Sequence, residues 1–145
     1  MKFRKLISQI ALLSYLTMLL AASLWPTPVD GGGVVWFITS QILQFARGVQ
    51  WLNWLQYNQL EALANVVLYM PLGIFLVIFL PRVKIIPLCL IPIIFSSSVE
   101  AAQRFLLPER YSTLNDVLNN ALGGLLGVLI AAGIRRLMRR RASER

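Results

Sequence analysis

Apolar residues in this chain gather into four long blocks, Leu6 to Trp25, Ala62 to Leu80, Ile85 to Val99 and Val117 to Ile134, separated by segments rich in polar positions. A helix needs roughly 17–25 predominantly apolar residues to cross the hydrocarbon of a bilayer. The first, second and fourth blocks reach that length directly. The third reaches it only by carrying Glu100 and Gln103 into its last turn, which places Glu100 at the membrane boundary rather than in a loop. The pattern predicts an all-α, polytopic membrane protein forming one integral membrane domain over 1–145, with spans at about 6–25, 62–80, 84–103 and 115–134.

Between the first two spans, Val34 to Leu60 is apolar but interrupted by Gln41, Gln44, Arg47, Gln50, Asn53 and Gln56. Polar residues about every third position give a helix one wet face, so segment 31–60 is expected to form one or two amphipathic helices lying in the membrane interface. The run Gly31-Gly32-Gly33 would release it from the first span. A re-entrant segment is the alternative, and Arg47 argues against it.

Composition agrees with a membrane frame. The 145 residues are 57% hydrophobic and 14% charged, with mean hydropathy +0.67, which is too apolar for an ordinary soluble domain. The net charge of +8 does not point to nucleic acid, because the cations flank apolar spans instead of forming a patch on a folded face. With a single cysteine, Cys89, and no histidine, neither a disulfide framework nor a metal site is expected, and no cofactor is implied.

Lys and Arg set orientation, since loops that retain positive charge stay in the cytoplasm. Lys2, Arg4 and Lys5 precede the first span, Arg82 and Lys84 join the second to the third, and Arg135, Arg136, Arg139, Arg140, Arg141 and Arg145 follow the fourth. Only Arg47, Arg104 and Arg110 fall on the other side. Both termini are therefore expected in the cytoplasm of a bacterial inner-membrane protein, with 135–145 as a basic cytoplasmic tail suited to anionic lipid. Trp25, Trp36, Trp51 and Trp54 then all belong to the outer interface, where amphipathic rings settle at headgroup depth. A cleaved signal peptide is the rival reading of the first block, but its apolar core is longer than the 7–15 residues of a signal h-region.

Polar groups at the ends of apolar spans are costly and tend to mark function. Helical spacing puts Glu100 and Gln103 on one face with Ser96 or Ser97 a turn below, Asp116, Asn120, Gly123 and Gly127 on a second, and Glu61, Asn65 and Tyr69 on a third. All three stripes sit at outer span ends and can converge on an outward-facing pocket. Structural roles compete at each position. Thr113-x-x-Asp116 is a capping box, compatible with a site. Glu100 has Arg104 four residues on as a surface partner, and Asn65 and Asn120 can serve as interhelical hydrogen-bond glue. For Gly123-x-x-x-Gly127, and for Gly73, close helix packing is the favoured reading. Pro71, Pro87 and Pro92 are expected to kink or open the second and third spans.

Asn65-x-x-x-x-x-Pro71-Leu72-Gly73, then Ser97-x-x-Glu100-x-x-Gln103, then Arg110 and Asp116-Val-Leu-Asn-Asn120-Ala-Leu-Gly123 together resemble the VanZ-like family of small bacterial membrane proteins. The resemblance covers about 61–134. It implies a four-helix membrane protein; the member that names the family is associated with low-level resistance to the glycopeptide teicoplanin, while most relatives lie outside resistance clusters.

Three function classes follow. In the preferred one, a membrane protein binds or modulates an envelope component, such as a lipid-linked cell-wall precursor or an amphiphile headgroup. Arg110, with Arg104 as a second cation, would hold a phosphate or carboxylate. Glu100, Gln103, Asp116, Asn120 and Asn65 would orient sugar, amide or amine groups. In the second, Glu100 and Asp116 act as acid and base on a lipid ester or phosphate; the chain has no histidine and neither a Ser-x-x-Lys nor a Gly-x-Ser-x-Gly element, so no catalytic residue is assigned. In the third, the chain is a structural subunit of a membrane complex. Membrane lipids are expected partners, and a homo-oligomer stays open.

Overall fold

The computed structural model describes residues 2–24, 33–52, 54–107 and 113–143, and among them every regular element is helical. α1 spans Lys2–Ser23, α2 Gly33–Arg47, α3 Tyr57–Phe79, α4 Ile85–Leu106 and α5 Leu114–Ser143, with a short 3₁₀ turn at Gln50–Leu52 after α2. Four of these helices, α1, α3, α4 and α5, are long and apolar enough to cross a membrane. Trp25, Gly31, Gly32, Asn53 and Arg110 lie outside the described residues.

Glycines set the closest approach in the fold. α3 and α5 run parallel, with Gly123 against the backbone of Val66, Gly127 against that of Met70, and Gly73 against the backbones of Gly124, Gly127 and Val128. A Cβ at any of the three glycines would overlap a backbone atom of the facing helix, so only hydrogen side chains allow this separation. α4 runs antiparallel on the next face of α5, its Pro92 ring resting on Gly124 and its Leu88 clustered with Val77 and Val128. α1 runs antiparallel along α3, with Leu19 against Tyr69 and Leu72 and Tyr15 against the Phe75 ring. The spanning helices alternate in direction, which brings the start of α1 and the end of α5 to the same end of the bundle.

Most large apolar side chains outside these seams face outward; Leu13, Val67, Ile86 and Ile94 are more than 60% exposed. Such a surface is stable only in lipid, where packing between helices comes from small residues and hydrogen bonds instead of expulsion of water.

The element bounds differ from the sequence pattern in instructive places. α3 begins at Tyr57, ahead of the expected 62, because Gln59 Oε1 accepts from the Gln56 N–H at 3.2 Å and organises an extra turn. α5 continues to Ser143, so most of the basic tail is helix. Leu, Met, Arg and Ala favour helix, and cations near its C-terminus complement the dipole. Pro71 and Pro92 lie inside α3 and α4, whereas Pro87 falls in the first turn of α4, where N–H groups have no helical acceptor to lose. The expectation that Pro87 opens the third span is therefore corrected.

The burial pattern of α2 divides it three ways. Thr39, Leu43 and Ala46 are covered, Ile38, Ile42 and Phe45 are exposed apolar residues, and Gln41, Gln44 and Arg47 are exposed polar ones. Its 15 residues extend only about 22 Å, short of a bilayer crossing.

Candidate functional site

At the end of the bundle where α1 finishes and α5 begins, polar side chains concentrate inside the protein. Ser23, Ser96, Glu100, Gln103 and Asn120 are the buried polar residues among those described, and every one belongs to this half. Three of them tie helices together. The Gln103 amide Nε2 donates to the Ser23 carbonyl at 2.6 Å, joining α4 to α1. Ser96 Oγ donates to the Val117 carbonyl at 2.9 Å, joining α4 to α5. Ser23 Oγ and the Tyr69 hydroxyl share a hydrogen bond at 3.1 Å, joining α1 to α3. Below them, Tyr15 donates to the Leu68 carbonyl at 2.8 Å, next to the carbonyl of Val67 that Pro71 leaves without its helical donor.

The Ser96–Val117 bond fixes where Glu100 goes. One turn further along α4, antiparallel to α5, Glu100 sits beside the first turn of α5 and is only 5% exposed. That turn is closed by a reciprocal cap. Asp116 N donates to Thr113 Oγ1 at 3.2 Å, while Asp116 Oδ2 accepts from Thr113 N at 3.1 Å and from Thr113 Oγ1 at 2.6 Å. The Asp116 carboxylate thus satisfies a helix start and meets the positive end of the α5 dipole.

Asn120 lies one turn deeper on α5. It precedes Gly123 and Gly124 by three and four residues, and those glycines face α3 and α4 respectively, so Asn120 points into the groove between them. It is 4% exposed, and its Oδ1 accepts no hydrogen bond among the described residues. A buried carbonyl oxygen left without a donor costs about 1–3 kcal/mol. No described residue donates to it.

Of the residues singled out from the sequence, Glu100, Gln103, Asp116 and Asn120 come to one end of the bundle. Asn65, half-buried, joins them from α3 one turn beyond Tyr69. Arg110 lies outside the described residues, and Arg104 is exposed. Gly73, Gly123 and Gly127 form the α3–α5 seam. Of the two serines below Glu100, Ser96 is fully buried and Ser97 is exposed. The sequence reading missed Ser23 and Tyr15 on α1. Their one signal is a hydroxyl, which Ser8, Ser14 and Thr17 of the same span also carry.

These features define a multi-pass, all-helical membrane protein with a hydrogen-bonded polar cluster buried at one end of its bundle. Within that class, the VanZ/LLP1 family model matches residues 7–137, nearly the whole chain, and the protein belongs to that family. The match takes in α1 and α2 as well as the helices that carry the motifs. No curated protein and no solved structure matches the chain.

Proposed function

We propose that the polar cluster is the binding site for an envelope component, the headgroup of a lipid-linked precursor or of an amphiphile, and that the protein modulates its handling at the outer face of a bacterial inner membrane. The observation that carries this reading is the unpartnered Asn120 Oδ1, buried beside elements that hold Glu100 and Gln103. A protein that used these groups only to join helices would be expected to satisfy every one of them. The cluster instead keeps an acceptor in reserve, suited to a hydroxyl, amide or ammonium of a ligand entering from the end of the bundle.

Charge distribution supports the orientation. Arg82, Lys84, Arg135, Arg136, Arg139, Arg140 and Arg141 all lie at the opposite end from Glu100 and Asp116, so retention of positive charge in the cytoplasm turns the cluster outward. Both termini are then cytoplasmic. The match to the VanZ/LLP1 family makes sensitivity to teicoplanin and to other envelope-active agents the phenotype to examine.

The test replaces Glu100 with Ala in a strain whose sensitivity depends on this protein. The expected outcome is loss of the phenotype with an unchanged amount of protein in the membrane. Disappearance of the protein itself would assign Glu100 to the frame, and full retention of the phenotype would remove it from the site.

A further inference from the structure

The other end of the bundle holds a second arrangement. The turn from α3 to α4, Pro81 to Lys84, is fastened to α5 in two ways. Val83 packs on the cluster of Val77, Leu88 and Val128, and Arg135 Nη1 donates to the carbonyls of Val77 at 3.4 Å and Pro81 at 3.3 Å. Arg82 and Lys84, on either side of Val83, are exposed. Arg139, also exposed, follows Arg135 by one helical turn on the same face. Clamping the turn therefore gathers the cations of two separate chain segments beside the α5 backbone. No Asp or Glu lies on the turn or on α5 beyond Asp116 among the described residues.

The depth of this cluster is fixed by helix length. α5 has 30 residues, about 45 Å, against a hydrocarbon core of about 30 Å. With the Asp116 cap at one boundary, Arg135 falls at the other, and the remaining turns continue through the headgroup layer. Around the cations the surface is apolar: Leu80, Ile85, Ile86, Ile134 and Leu137 are all exposed. A positive cluster at headgroup depth, bordered by residues that meet acyl chains, matches a ligand that is anionic at one end and greasy at the other.

We infer that the α3–α4 turn and the adjoining face of α5 bind the phosphate of an anionic phospholipid in the leaflet nearest the termini, with Arg82, Lys84 and Arg139 as its donors and Arg135 as the clamp that positions them. Positive charge retained for topology explains the sign of these residues. It does not require that two segments be fastened together to present them. The site is independent of the polar cluster at the far end.

The experiment titrates the purified full-length protein in neutral detergent with short-chain phosphatidylglycerol and follows its thermal unfolding. Phosphatidylcholine of the same chain length and glycerol phosphate serve as the comparison ligands. Phosphatidylglycerol is expected to bind at least about tenfold more tightly than either, because charge and chain both contribute. Each basic residue near an anionic surface contributes roughly fivefold, so Arg82→Gln, Lys84→Gln and Arg139→Gln combined should weaken it about a hundredfold. The pair Arg140→Gln and Arg141→Gln, further along α5, should change it no more than about threefold, below the loss that two cations would give in a diffuse attraction. Equal binding of phosphatidylcholine, equal binding of glycerol phosphate, or the distal pair costing as much per cation as the triple would each overturn the assignment.

Discussion

Gly127 and Gly133 lie on the same helix six residues apart, and the structure gives them opposite sensitivities to one added methyl group. A Cβ at Gly127 would overlap the Met70 carbonyl oxygen and stand 3.0 Å from its carbonyl carbon and 3.1 Å from Ile74 N. All of these are backbone atoms, so no rotamer change relieves the clash and α3 must move away from α5. Separation there also loosens Gly123 on Val66 and Gly73 on Gly124, since these contacts share the seam. Overpacking of this kind costs about 1–3 kcal/mol, toward the upper end where backbone opposes backbone. The helix propensity of Ala over Gly returns about 1 kcal/mol, leaving Gly127→Ala destabilised by about 2 kcal/mol. That is roughly a thirtyfold change in the unfolding equilibrium. A Cβ at Gly133 meets nothing within 4 Å, so Gly133→Ala should be neutral or gain up to about 1 kcal/mol. Reversible unfolding in mixed micelles, followed by circular dichroism across an anionic-detergent series, reads both variants. Equal stability of the two, or a stabilised Gly127→Ala, would refute the seam as the organising contact.

Thr113→Ala removes the cap of α5 while leaving Asp116 in place, and should cost about 1 kcal/mol in the same unfolding series; a change below a few tenths would show that the reciprocal bonds do not hold the helix start. Tyr15→Phe deletes the donor to the Leu68 carbonyl beside Pro71 and should cost about 0.6 kcal/mol, the average for an interhelical hydrogen bond in a membrane protein. A loss well above 2 kcal/mol would mean that this bond, rather than the packing of Leu19 on Tyr69 and Leu72, anchors α1 on α3.

The spans were legible because bilayer thickness imposes a length on apolar blocks, and four helices among the described residues meet it. Helix ends were less so. Glu61 looked like the boundary of the second span, yet the bond from Gln56 N to Gln59 Oε1 starts α3 at Tyr57, and no hydropathy pattern records a side-chain-to-backbone bond. Likewise Arg135 marked the end of the fourth apolar block without showing that α5 continues to Ser143. At the polar end, helical spacing was enough to group Glu100 with Gln103 and Asp116 with Asn120. The partners across the groups were hidden, because they depend on the register between helices. Gln103 reaches a backbone carbonyl of α1 eighty residues away in sequence, and a carbonyl acceptor carries no sequence signature. Pro87 looked equivalent to Pro92 until the start of α4 placed one in the first turn and the other in the interior.

The account rests on Asn120 Oδ1 being held for a ligand and not for the fold, and the unfolding midpoint of ligand-free Asn120→Leu tests that directly. Leu keeps the branched side-chain skeleton of Asn, is bulkier and needs no donor, so relief of a buried unpaired acceptor, less the cost of the added bulk, should raise stability by up to about 2 kcal/mol. A fall in stability of similar size would show that Asn120 binds the helices together, and would contradict the assignment of this cluster as a site.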